Sequence, residues 1–103
     1  MFEAVVSQEG SVRTIALNGE CDVQMFPDVD ELIRDSLSNG YSAVRVDLRG
    51  LTFIDSSGIR ALLMARNQAQ SVGSTLSIVP GPQAVMRVFE LLGLRDHFAF
   101  EES

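Results

Sequence analysis

The sequence predicts an α/β fold: one domain over residues 1–103, built on a mixed, mostly parallel sheet of about five strands with three main helices, in the order ββαβαβαβ. Three observations lead there. Short apolar segments alternate with stretches of helical periodicity. Each strand–helix–strand passage should cross over right-handed and lay its two strands parallel. A chain of 103 residues has room for one domain and one core.

Residues 2–7 and 11–18 read as strands, with Gln8-Glu9-Gly10 as the turn between them. In the second, Val12, Thr14 and Ala16 alternate with Arg13, Ile15 and Leu17. Gly19-Glu20-Cys21-Asp22 reads as a loop. A helix begins near Pro27, because proline's missing N–H costs nothing in the first turn. Asp28, Asp30 and Glu31 suit that turn electrostatically and read as a solvated face. Val29, Leu32, Ile33 and Leu37 recur at helical spacing and are expected to face the core, and Asn39-Gly40 ends the helix.

Residues 43–48 read as a strand, and the apolar stretch 51–54 leads into Asp55-Ser56-Ser57-Gly58. A second helix is expected from about 58 to 71, with Leu62, Ala65, Ala69 and Val72 on one face and Gly73 as its stop. Residues 75–79 form a strand, cut by Pro80-Gly81-Pro82. A third helix follows from about 83 to 92, with Val85, Phe89 and Leu92 inward. Residues 97–100 are a weak final strand. Open sheets of this kind bind ligands at the carboxyl ends of their parallel strands, which directs attention to residues 19–25 and 53–58.

Composition narrows the function. Hydrophobic residues make up 46% and charged residues 21%, the balance of a globular chain. All eight basic residues are arginine, so there is no Walker A or Schiff-base lysine. One cysteine and one histidine leave no internal disulfide and no cysteine- or histidine-rich metal site. A net charge of −6 argues against nucleic acid as the main partner. The longest apolar run, Ala61 to Ala65, is too short to span a membrane, and Met1-Phe2-Glu3 does not open a signal peptide; the expected compartment is the cytoplasm. With no catalytic, metal or cofactor-binding set in view, binding is the expected role.

The segment Asp55-Ser56-Ser57-Gly58 turns a strand end into a helix start. One reading is structural: Asp and Ser are preferred N-caps, and Gly58 allows a tight turn. The other is functional. A serine at such a helix start can be exposed and can carry a phosphate of about −1.5 to −2 charges. That phosphate would lie close to Asp55 and, if the two loops meet, to Asp22. A partner docked over this spot would face a desolvated, like-charged cluster, at a cost of about 3–5 kcal/mol, or more than a hundredfold in affinity.

The remaining candidates read as ordinary residues. A serine-hydrolase elbow needs G-x-S-x-G, which Ile54 breaks around Ser56 and Asp55 breaks around Ser57. A triad of Ser56, His97 and an aspartate is a minor alternative, and His97 reads as part-exposed. Cys21 reads as a small buried hydrophobe. Glu20 and Asp22 read as acids of a partner-binding rim and not as metal ligands.

Three stretches together resemble the STAS-domain family, and within it the stand-alone bacterial anti-sigma-factor antagonists. They are Leu17-Asn18-Gly19-Glu20-Cys21-Asp22, the run Val46 to Gly58 with its D-L-x-x-h-x-F-h-D-S-S-G pattern (h apolar), and Val85 to Leu94. The resemblance covers about residues 3–100. It implies a protein of transcription regulation in stress or sporulation signalling. Its unphosphorylated form would bind an anti-sigma factor that is also a serine kinase of GHKL type, freeing the sigma factor. The kinase, using its own Mg-ATP, would phosphorylate Ser56 and release the complex, and a PP2C-type phosphatase would reset it. Asp22 and Asp55 match the family's acids beside the acceptor, and Ser57 and Gly58 shape the helix start. Arg60 stands where many relatives carry a small residue, either contacting the partner, steadying a phosphate or simply facing solvent. Cys21 replaces a larger aliphatic side chain, with little effect expected. The rival reading within the family is a scaffold subunit of a signalling or lipid-transport assembly, without a phospho-switch.

Overall fold

The computed structural model describes residues 2–101. Five strands, β1 (Phe2–Glu9), β2 (Val12–Cys21), β3 (Ala43–Ile54), β4 (Thr75–Val79) and β5 (Ala99–Phe100), form one sheet in the order β1-β2-β3-β4-β5. β1 runs antiparallel to β2; every other pair is parallel. Three helices connect the parallel strands: α1 (Phe26–Ser38), α2 (Ser56–Ser71) and α3 (Gln83–Leu91). This is the expected mixed α/β sheet.

β3 shows how the sheet meets the core. Val44, Val46 and Leu48 are fully buried, while Arg45 and Asp47 between them point the other way, where Arg45 meets Glu101 and Asp47 meets Arg49. Ile15 and Leu17 of β2 and Ile78 of β4 continue the buried row. Val29 and Ile33 of α1, and Ile59, Leu62, Ala65 and Ala69 of α2, close over it. At the far edge Phe89, Phe98 and Phe100 pack edge to face, with centroids 5.5–6.1 Å apart.

Several boundaries differ from the sequence reading. β1 reaches Glu9, so the hairpin turns at Gly10 and Ser11, with Gly10 at φ 61°. β2 does not stop at residue 18: Gly19, Glu20 and Cys21 pair with β3 and are not a loop. β3 does not stop at Leu48 but runs to Ile54, with register shifts against β2 beside Asn18 and Gly19. α2 starts at Ser56, two residues early, because Asp55 and not a serine caps it. Val72 and Leu92 lie just past their helices and are 60% and 45% exposed, not inward; Met86 takes the buried place on α3. Residues 95–97 form a 3-10 turn, leaving only Ala99 and Phe100 in the last strand.

Candidate functional site at the paired strand ends

β2 and β3 stay paired to their last residues, Cys21 opposite Ile54. The next residue on each strand is an aspartate, Asp22 and Asp55, so the two loops leave the sheet side by side. The Asp55 backbone N–H donates to the Cys21 carbonyl at 3.3 Å and ties the loops together.

Each aspartate is fixed by its own turn. Asp22 Oδ1 accepts from the Gln24 backbone N–H at 3.0 Å, and the Asp22 carbonyl accepts from the Met25 N–H at 3.0 Å, which steers the chain into α1. Asp55 has extended backbone geometry, and its Oδ1 accepts from the Gly58 N–H at 3.1 Å. It is therefore the N-cap of α2, satisfying one of the helix's free donors. Both carboxylates act on the buried Cys21 between them. Burial first, then the charge of Asp55 and of Asp22, push its thiol up to about 11.

Ser56 is the first residue of α2; it is exposed, and its hydroxyl has no hydrogen-bond partner among the described residues. Ser57 is half-buried. Gly58 is buried and helical, so the expected tight turn is not its reason. A Cβ there would lie 2.8 Å from Ile54 Cγ1 and 3.1 Å from Cys21 Sγ; only glycine lets α2 sit this close to the strand ends. Arg60 is exposed on the next turn.

The sequence reading missed the apolar surface around these residues. Val23 is 64%, Phe53 47% and Met64 42% exposed. Val23 follows Asp22, and Phe53 pairs with the exposed Glu20. Met64 shares a face of α2 with Ser56 and Arg60, four residues apart each time. Phe53 was hard to assign because burial in this part of β3 falls at Leu51 and Ile54, three apart, where a regular strand would give two.

A serine–histidine pair is ruled out by topology. β5 is level with the beginning of β3, through Ala99 to Ser77 to Arg45. His97 precedes β5, and Ser56 follows β3 by way of Ile54, so roughly 30 Å of sheet separates them. Among the described residues no group of three or more His, Cys, Asp or Glu is arranged to hold a metal ion, and no helix is long and apolar enough to cross a membrane.

The family model described as "Mlab, STAS domain" matches residues 4–100. The anti-sigma-B factor antagonist of Staphylococcus aureus is 24% identical over 82 residues, covering 80% of this chain and 76% of that one. Two solved structures share the fold. An anti-sigma factor antagonist from Mycobacterium paratuberculosis superposes with TM-score 0.89 at 20% identity, covering 100% of this chain and 87% of that one. The Bacillus cell fate determinant SpoIIAA in its phosphorylated form gives 0.73 at 18% identity, covering 100% and 93%. The match to the family model runs from the first strand to the last through every element that builds the site, and the chain belongs to the STAS-domain family.

Proposed function

We propose that the chain is an anti-sigma-factor antagonist. Its unphosphorylated form binds an anti-sigma factor that is also a serine kinase of GHKL type, and a phosphate on Ser56 ends that binding. One observation carries the proposal: a serine hydroxyl that is exposed and has no partner among the described residues starts α2 where the paired ends of β2 and β3 release two ordered aspartates, with exposed Val23 and Phe53 on the same two segments. The names of its relatives agree with the role, and one solved neighbour is described in a phosphorylated form.

The chemistry belongs to the partners. Ser56 Oγ attacks the γ-phosphorus of the kinase-bound Mg-ATP. A serine O–P bond forms, the bond to the bridging oxygen breaks, ADP leaves, and the hydroxyl proton passes to a base on the kinase. A PP2C-type phosphatase returns the serine by hydrolysis, releasing inorganic phosphate. This chain contributes the acceptor and the surface, and acts as substrate and ligand, not as enzyme.

The site explains why one phosphate is enough. Asp22 and Asp55 already make the surface locally negative, and their own hydrogen bonds hold them in place. Closing a partner over the exposed Phe53 and Val23 removes water from this cluster. An added dianion that meets no countercharge on the partner costs about 3–5 kcal/mol. The fold is spared, because the Ser56 side chain supports nothing.

Incubation with the cognate kinase and Mg-ATP tests the acceptor. Intact-mass and peptide mass spectrometry should show one phosphate, on Ser56. An unmodified chain, or one modified on Ser57 alone, contradicts the assignment.

A further inference from the structure

We propose that Arg60 is the intramolecular counter-ion of a phosphate on Ser56, a role that rests on Ser56 being the acceptor. Among the described residues Arg13, Arg34, Arg45, Arg49 and Arg95 each pair with a carboxylate, and Arg66 donates to Asn67. Arg60 and Arg87 make no such bond, and Arg87 belongs to α3, away from this helix. Arg60 is thus the one uncommitted guanidinium on α2.

Its position fits the task. Ser56 and Arg60 are both exposed and four residues apart on the same helix, a spacing that puts their Cβ atoms about 5–6 Å apart. The acid-then-base order is the favourable one along a helix. Arginine's planar fork also matches two phosphate oxygens, which a point charge does not.

The Gly58 amide is a poorer partner for the phosphate. Asp55 Oδ1 already holds the Gly58 N–H. A phosphate seeking that donor would have to displace a carboxylate of its own sign. The charged groups around position 56 are then Asp55 on its own turn, Asp22 from the loop after β2, and Arg60. The two acids oppose the dianion and Arg60 favours it.

This pairing also changes the docking face. In the unphosphorylated chain Arg60 stands free beside Met64, open to an acidic group of a partner. Once Ser56 is phosphorylated the guanidinium is drawn onto the phosphate. One modification then adds a dianion and withdraws a cation from the same surface.

The test uses the full chain with phosphoserine encoded at position 56, so that no kinase is needed. Phosphorus NMR titration reads the second pKa of that phosphate. Arg60→Ala should raise it by about 0.15–0.4 units, with Asp22 and Asp55 acting equally in both proteins. Arg60→Lys should recover part of the difference. Matched far-UV circular dichroism confirms that α2 is unchanged. A difference below about 0.1 unit overturns the proposal. An unchanged titration counts against Arg60 alone, whereas a chain left unmodified by the kinase counts against Ser56 as acceptor.

Discussion

The sulfur of Cys21 packs against Gly58, only 3.1 Å from where a Cβ at position 58 would sit. The contact joins the end of β2 to the first turn of α2 and sets the depth at which Ser56 emerges. Ile54 Cγ1 closes the other side at 2.8 Å. A Gly58→Ala chain must shift the helix or these side chains. Overpacking of this kind costs about 1–3 kcal/mol, and better helix propensity returns up to about 1 kcal/mol. Urea denaturation should show a net loss, partly recovered by Cys21→Ala in the same chain. Unchanged stability would mean that the close approach is not a constraint.

Cys21 makes stability depend on alkaline pH. The folded thiol is pushed above its ordinary value of 9.0 to about 11, so the folded state favours the neutral form. Between those two values the unfolded thiol is ionised and the folded one is not. The unfolded chain then binds fewer protons, and stability falls as pH rises. The contribution is complete below pH 9 and is lost on approaching pH 11. Denaturation midpoints from pH 8 to 11 should fall more steeply for the wild-type chain than for Cys21→Ala; parallel slopes would contradict this.

Asp55 caps α2 through Gly58. Asp55→Ala should cost about 1 kcal/mol in urea unfolding, and Asp55→Asn much less, since an amide oxygen can still accept the bond. Equal losses for the two would show that the hydrogen bond is not what the aspartate supplies to folding.

The exposed ring of Phe53 separates docking from stability. Phe53→Ser removes a side chain that is 47% exposed, so the urea midpoint should move little. Binding to the cognate anti-sigma factor should weaken about tenfold or more, as expected for an aromatic anchor. Unchanged affinity would place the interface elsewhere.

The class of fold and the strand-to-helix junction of the candidate site were legible because both rest on local signals. Helical periodicity set the three helices, and Asp55-Ser56-Ser57-Gly58 lies where a strand end becomes a helix start. What the sequence hid depends on contacts between distant residues. The residues read as a strand stop at Leu48, yet β3 passes straight through Arg49 and Gly50. A Cβ at Gly50 would fall 1.7 Å from Asn18 Oδ1, so glycine there makes room for a side chain of the neighbouring strand. That crossing accompanies the register shifts that expose Phe53. Ser36 is 1% exposed, beside Leu32 and Leu37, which pack half-buried against the core as expected. Its hydroxyl donates to the Leu32 carbonyl at 2.8 Å, so a polar residue fills a core position without an unsatisfied group. Gly58 drew attention as a turn residue, but its reason is Cys21, thirty-seven positions away in the chain.

The switch itself is tested most directly by calorimetric titration of two forms of the chain against the cognate anti-sigma factor. One is Ser56→Ala, which cannot be modified; the other carries phosphoserine at position 56. The substituted chain should bind as the unmodified wild type does, and the phosphorylated chain more than about a hundredfold more weakly. Equal affinities for the two would contradict control of binding through Ser56.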